Sequence, residues 1–497
     1  MTLPALSALA DNFPQSRLTV LTRPWALGVY QGQKGVDSLT ALASDGVHRG
    51  PWGRWRLARE LAAEHFDLAV LFQNAFEAAL LAALARIPQR WGYARDGRSF
   101  LLTKAIELTE ADRYVHESFY YLNILEKAGL WAPFTRPRLK VHPEAALEAN
   151  AILYQGGRQD DFLLALAPGA SFGPAKRWPV KNFAEAALLI LDQLPKGLKA
   201  RIMIMGGAGE IEAAQELSEL LPSRLTLNLA GRSSLLVAMA LMSRASLLLS
   251  NDSGLMHVAG ALDVPLAAVF GPTDPLTTAP LGASRLIRSA APCAPCLKRE
   301  CPLERQYCFD EVRPPEVAAA ALELIDPPSL GPGLSPAVFL DLGGTVSEEI
   351  KAPSRPERLN LIPGGGRAIA GLREAGYKTV LVSDLPGSTA ESVSSLQSRL
   401  TELLAAEGAG LDGFYFRPRP REPKAGLFEK AIDELKIDPT RSVWVGDQAE
   451  DLAASVELGG RSVLVLSGQG LAEAQKRAFT PTLVAPDLRR AAEWILS

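Results

Sequence analysis

Residues 251–275 read NDSGLMHVAGALDVPLAAVFGPTDP, and this run restricts the fold more than any other. The apolar stretch ASLLLS ends at Ser250, Asn251 and the small-residue turn Asp252-Ser253-Gly254 come next, and a helical pattern starts directly after it. Strand, bare turn and helix place free backbone N–H groups and the positive end of a helix dipole at one spot, which favours an anion. A second strand, PLAAVF, ends in the equally bare turn Gly271-Pro272-Thr273. Two such turns at the carboxyl ends of parallel strands form a crevice suited to the diphosphate of a sugar nucleotide.

Two further segments repeat the design. LLALAPGASFGPAKRWP (163–179) is a buried-strand pattern followed by a Gly/Pro/Ser loop that presents Lys176 and Arg177. RIMIMGGAGE (201–210) carries glycines 206, 207 and 209 ahead of Glu210. It is not a GxGxxG, so a nicotinamide cofactor has little support. Together with RWGYARDGRSFLLT at 90–103, these segments resemble, in order over residues ~1–325, the ADP-heptose:lipopolysaccharide heptosyltransferases of the type II kind.

That resemblance implies an α/β chain with a GT-B pair of facing Rossmann-like halves. It also implies inverting transfer of heptose from ADP-L-glycero-D-manno-heptose to a heptose-bearing Kdo–lipid A core. A cation and backbone donors must meet the leaving diphosphate, and Lys176 is the candidate cation. Gly169, Ser171, Gly206, Glu210, Asp252, Ser253, Gly254, Leu255, His257 and Thr273 complete the donor-side set. The transfer requires no metal if the lysine and helix N-termini neutralise the diphosphate. The acceptor is anionic, so Arg90, Arg95 and Arg98 are candidates for its phosphates and carboxylates.

The resembled family opens with a strand and a Gly-Asp turn whose aspartate is the proposed base. MTLPALSAL matches the residues just after that turn, so neither the strand nor the aspartate is in this sequence. A Rossmann half without its central strand leaves a buried hole and unpaired ladder groups. The expectation is therefore a start upstream of Met1, with loss of the base as the alternative.

At 497 residues the chain exceeds one core, and 47% hydrophobic residues suit an α/β protein. A formal charge of −3 gives no global attraction to nucleic acid. FDLAVLFQNAFEAALLAALA is broken as a membrane span by Gln73, Asn74 and Glu77, and the opening MTLPALSALADNFP is not a signal peptide. The expectation is a cytoplasmic protein in peripheral contact with the inner face of the inner membrane. The four cysteines, Cys293, Cys296, Cys301 and Cys308, cluster in CAPCLKRECPLERQYC. This suggests a zinc knuckle, although the spacing is not that of a standard ribbon; reduced structural thiols are the alternative. The resembled family carries a similar loop, so the cluster could simply belong to its fold.

The expected division is 1–148 and 149–326 for the two halves, a Pro/Gly linker at 327–336, and a third α/β unit at 337–497. In that unit AVFLDLGGTV ends a strand at Asp341, TVLVSD ends at Ser383 and Asp384, and SVWVGDQAED delivers Asp447 and Asp451. Strand ends carrying carboxylates and a hydroxyl suit Mg²⁺-assisted phosphoryl transfer through an aspartyl-phosphate. The pattern resembles haloacid dehalogenase-like phosphatases of the heptose-bisphosphate kind. The resemblance implies a site of Asp341, Thr345, Ser383, Lys424, Asp447 and Asp451, with Mg²⁺ on Asp341 and Asp447 and the carbonyl of residue 343. Three departures stand out. The DxDGT motif reads DLGGT, so Gly343 replaces the general acid/base; the motif lysine falls on Glu422, two residues before Lys424; and FYFRPRPREP lacks the family's zinc-binding cysteines. The leading expectation is a heptosyltransferase with a degenerate phosphatase tail. A bifunctional enzyme and a non-catalytic sugar-nucleotide-binding scaffold are the alternatives.

Overall fold

The computed structural model describes residues 1–154, 161–170, 172–325, 333–349, 355–417 and 424–497. Seventeen described strands form four sheets, all parallel. The apolar runs seen in the sequence are the central strands. β6 (Phe162–Ala167), β9 (Leu247–Asn251) and β10 (Leu266–Phe270) are buried at every position, because helices cover both faces of a parallel sheet. With β7 (Ala200–Ile204), β8 (Thr226–Asn228) and β11 (Ser284–Arg288) they run in the order β11-β10-β9-β6-β7-β8. The order reverses between β6 and β9, and ligand crevices open at such a reversal, at the carboxyl ends of the strands.

The C-terminal sheet obeys the same logic. β12 (Ala337–Leu340), β13 (Lys378–Asp384), β14 (Gly413–Arg417), β15 (Val443–Gly446), β16 (Arg461–Val465) and β17 (Leu483–Ala485) take the order β14-β13-β12-β15-β16-β17. Its reversal lies between β12 and β15, the strands that lead into Asp341 and Asp447.

The first half is divided. β1 (Thr19–Thr22) pairs only with β2 (Ser38–Ala41), while β3 (Leu68–Leu71), β4 (Gln89–Tyr93) and β5 (Lys104–Ile106) form a separate sheet among the described residues. Val20 of β1 and Val70 of β3 pack against one core cluster with Leu6, Leu9 and Phe119. All four positions of β3 are only half-buried, unlike the enclosed strands of the other two sheets. No helix of the described residues is long and apolar enough to cross a membrane.

The C-terminal unit shares its core with the first half. One cluster runs from Ala5, Leu122 and Phe134 through Leu276 and Leu281 to Val484, Leu488 and Ile495. The helix Leu488–Leu496 seals the junction. Its Arg490 is fully buried, donating from Nη1 to Ala132 O (2.6 Å) and Glu493 (2.9 Å) and from Nη2 to Glu126 (2.6 Å). Glu493 also accepts from the Phe134 N–H at 2.9 Å. His116, fully buried, donates its backbone N–H to Val484 O at 3.2 Å, and its Nε2 meets Ala279 O at 2.9 Å.

Removing the Arg490 fork leaves a buried carbonyl and Glu493 short of donors, so Arg490→Ala should cost about 2–3 kcal/mol. Calorimetric unfolding should then show the C-terminal unit melting ahead of the rest. A second prediction concerns pH. Burial, opposed by the hydrogen bond to Ala279 O, pushes the His116 imidazole from 6.5 down to about 4. A depressed folded-state value gives stability that is complete above 6.5 and lost as pH falls towards 4. Between pH 7 and 5 the native chain should therefore lose about 2 kcal/mol more than His116→Gln, measured by urea unfolding at both pH values.

Candidate functional site

The β6/β9 reversal gathers three turns around Asp252. Lys176 Nζ, from the loop after β6, lies 2.5 Å from Asp252 Oδ2, and Thr273 Oγ1, from the turn after β10, donates to the same oxygen at 2.6 Å. Asn251 explains how the Lys176 loop is held. Its Oδ1 accepts from the Trp178 N–H (3.0 Å) and its Nδ2 donates to Pro168 O (2.7 Å), tying both ends of residues 168–178 to β9. Trp178 is fully buried and donates Nε1–H to Val312 O. The Lys176 ammonium also sits 4.8 Å from the Phe172 ring centroid, and its side chain is 12% exposed. The result is a cation nearly stripped of water, paired among the described residues with the Asp252 carboxylate, a partner that an anionic ligand can replace.

Ser253 precedes the helix Gly254–Ala261 without a side-chain cap; its Oγ meets Ser250 Oγ at 3.1 Å instead. The first N–H groups of that helix are left for a ligand or solvent, and the space where a β-carbon of Gly254 would stand is open. Leu255 is half-buried in the same first turn. His257, one turn in, is pushed down to about 3 by burial and by the N-terminal amine, His116 and Lys176 around it. It is neutral at pH 7.

Glu210 sits inside the glycine turns. Its Oε2 accepts from the Gly207 N–H at 2.8 Å, and a β-carbon at Gly169 would stand 2.2 Å from its carboxyl carbon. The carboxylate is wedged between the glycine turns at 169 and 206, so glycine is required there for close approach. Ser171 lies outside the described residues.

Among the candidate acceptor arginines, only Arg95 is exposed, beside Asp96 at 3.4 Å. Arg90 is half-buried and donates to Leu101 O and Ile87 O. Arg98 is fully buried, donating to Tyr93 O, Gln73 O and Asn74 Oδ1. It braces the loop between β4 and β5 and cannot present a charge at the surface. Glu117, at the start of the helix Glu117–Lys127, gives no signal in the sequence because no motif surrounds it. Its carboxyl is raised by burial and by the Asp252 charge, with the N-terminal amine opposing.

The second site lies at the β12/β15 reversal. Asp341, Asp447 and Asp451 are buried, with ligand oxygens all within 4.8 Å of one another. Lys424, 4% exposed, donates to Asp341 Oδ1 at 3.0 Å and to Asp451 Oδ1. This corrects the expectation that the motif lysine had become Glu422: the ammonium is present, supplied by Lys424. Glu422 itself lies outside the described residues. Ser383 is buried and donates to Asp341. Burial raises the Asp447 carboxyl to about 6 and also raises Asp341 and Asp451, each in the field of another carboxylate.

Two buried atoms lack partners here. Asp447 Oδ1 and Thr345 Oγ1 have no hydrogen bond among the described residues. Buried polar atoms are rarely left so, and an unsatisfied carboxylate oxygen beside two more carboxylates fits a hard divalent cation. Gly344 holds φ +76° and packs on Asp447; Gly343 carries no positive φ.

The cysteine cluster does not assemble as a zinc site. The four thiols are free and line one small apolar pocket of about 160 Å³, yet Asp341, Asp447 and Asp451 are the only such ligand group among the described residues. Burial and the neighbouring thiols push the Cys308 thiol up to about 11.

A family model for glycosyltransferase family 9 (heptosyltransferase) matches residues 54–306, and one for HAD-hydrolase-like proteins matches 420–491. Over 291 residues, 56% of this chain, the sequence is 31% identical to lipopolysaccharide heptosyltransferase 2 of Salmonella typhimurium, covering 81% of that protein. Over 186 residues, 32% of this chain, it is 37% identical to D-glycero-D-manno-heptose-1,7-bisphosphate 7-phosphatase of Thermosynechococcus vestitus, covering 95% of it. The solved structure of E. coli ADP-heptose lps heptosyltransferase II aligns with a TM-score of 0.55 at 25% identity, covering 65% of this chain and 94% of that chain. The chain thus belongs to glycosyltransferase family 9, the heptosyltransferases, and adds to it a HAD-like domain of the heptose-bisphosphate phosphatase kind.

Proposed function

We propose that residues 1–326 transfer heptose from ADP-heptose to the lipopolysaccharide inner core. The observation that carries this reading is the Lys176–Asp252–Thr273 junction at the β6/β9 reversal. In the inverting reaction the anomeric carbon gains positive character as diphosphate leaves, so stabilisation must fall on the leaving group. Lys176 swings from Asp252 to the diphosphate, and the open N-terminus of Gly254–Ala261 supplies backbone donors. Asp252, released, is free to accept from a sugar hydroxyl. Glu117, whose carboxyl is raised by burial and by the Asp252 charge, is a second carboxyl group near this crevice. Neutral His257 orients without adding charge to the cleft.

Contact with an anionic membrane surface is supported by the exposed aromatics of the first half. Trp52 and Phe100 are 82% and 76% exposed, and Arg59 stacks over the half-exposed Trp55. Large rings beside arginines suit a lipid interface.

For residues 337–497 we propose a Mg²⁺ and phosphate-monoester site that turns over slowly. Asp341, Asp447 and the carbonyl of residue 343 would hold Mg²⁺, which supplies charge neutralisation for the phosphoryl oxygens. Lys424 and Thr345 Oγ1 face the same group, and Asp341 is the nucleophile. The element missing is a proton donor for the leaving oxygen, because residue 343 is glycine.

Lys176→Ala should reduce heptose transfer by ~10²-fold or more, assayed with ADP-heptose and a heptosylated Kdo–lipid A acceptor. A near-normal rate would remove Lys176 from the mechanism. The full chain should release phosphate from heptose bisphosphate more slowly than ~1 s⁻¹, and Gly343→Asp should raise that rate ~10²-fold or more. A native rate at or above that level would establish the bifunctional reading instead.

A further inference from the structure

The two sites are joined by residues 467–477. At one end this segment is pressed onto Asp447. The Gln469 N–H donates to Asp447 Oδ2 at 2.8 Å. A β-carbon at Gly468 would stand 2.3 Å from the same oxygen and 2.4 Å from Gly344 Cα, and one at Gly470 would stand 1.7 Å from Val465 O. The loop is packed closely on the Asp447 carboxylate. Ser467 Oγ in this loop is buried without a partner among the described residues.

At its other end the segment reaches the donor crevice. The helix Gly470–Lys476 ends at Arg477, which takes the left-handed φ of +53° and pairs Nη2 with Asp274 Oδ2 at 3.3 Å. Asp274 is buried and caps the turn after Thr273, accepting from the Leu276 N–H at 3.1 Å. Thr273 in turn holds the Asp252 oxygen that Lys176 grips. A second contact runs beside it, from Val484 O through His116 to Ala279 O at the end of the same turn.

We propose that the C-terminal domain has a second function as an effector domain: a divalent cation and a phosphate group bound at Asp341, Asp447 and Lys424 alter the affinity of the Asp252 crevice for nucleoside diphosphate, through residues 467–477. The proposal rests on the two proposed site functions. A cation held at Asp447 Oδ1 would draw the carboxylate towards Asp341, and the Gln469 N–H on Oδ2 with the closely packed glycines 468 and 470 would pass that shift to the helix. The Arg477–Asp274 pair then changes the seating of Thr273 against Asp252. Such coupling is reciprocal, so ADP must alter phosphate affinity by the same factor. A domain that hydrolyses slowly is suited to this role, because a sensor must hold its ligand.

The test is calorimetric titration of ADP into the full chain at fixed Mg²⁺, with and without saturating inorganic phosphate, and the reverse titration with and without ADP. Both dissociation constants should change by about fivefold or more, in the same ratio. Arg477→Ala, at a half-exposed position, should keep both ligands bound while bringing that ratio to one. Asp447→Asn should abolish phosphate binding and leave ADP affinity independent of phosphate. An ADP constant in the native chain that ignores phosphate overturns the effector function while leaving both site functions standing. A phosphate effect that persists in Asp447→Asn means competition in the donor crevice, and also overturns it. Failure of ADP or of phosphate to bind under any condition overturns the proposal together with the corresponding site function.

Discussion

Strand order governs both sites. In each complete sheet the order reverses once, between β6 and β9 and between β12 and β15. Helices leave the two central strands in opposite directions there, so the strand ends have no layer above them. Everything polar that the chain delivers to that edge remains open to a ligand, while the strands below stay buried on both faces. The chemistry is confined to turns of a few residues because only those residues escape the layers.

The two crevices also use one electrostatic device. Each holds a largely enclosed lysine paired with carboxylates at the edge of the sheet: Lys176 with Asp252, and Lys424 with Asp341 at a strand end and Asp451 in the first turn of the next helix. A buried ion pair adds little net stability after desolvation, so these pairs are poorly explained as fold supports. They are better explained as charges kept ready for phosphate. In the second crevice burial also raises Asp341, Asp447 and Asp451, a tension that a cation relieves. In the first crevice, among the described residues, the carboxylate paired with the lysine is that of Asp252.

Legibility in the sequence tracks how local each feature is. β6, β9, β10 and β12 are legible because strands buried on both faces are written as unbroken apolar runs. The bare turns at 252–254 and 271–273 are legible because a backbone that must approach a ligand excludes side chains. Lys424 is easily misjudged since it comes after a stretch without periodicity, where a two-residue offset leaves no trace. Arg98 looks like surface charge because arginine is rarely buried; its carbonyl partners at Tyr93 and Gln73 come from tertiary structure. Cysteine spacing suggests ligands, yet convergence of thiols depends on loop geometry that spacing does not dictate. Asn251, His116 and Glu117 carry no signal, each owing its role to contacts from distant parts of the chain.

The junction between the units is the least legible feature and has the widest consequence. The helix Leu488–Leu496 reads as an ordinary amphipathic helix, yet Arg490 on it is fully buried against Ala132 and Glu126 of the first half. A tail that merely trailed behind a transferase would keep such a residue solvated, because desolvating a guanidinium is costly without partners built to receive it. Here the partners come from both units, and the apolar core is continuous across them. Cutting the chain near residue 337 would therefore expose core on both sides. Any activity measured on an isolated piece would report the cut as well as the site, and for that reason the two crevices must be studied in the intact chain.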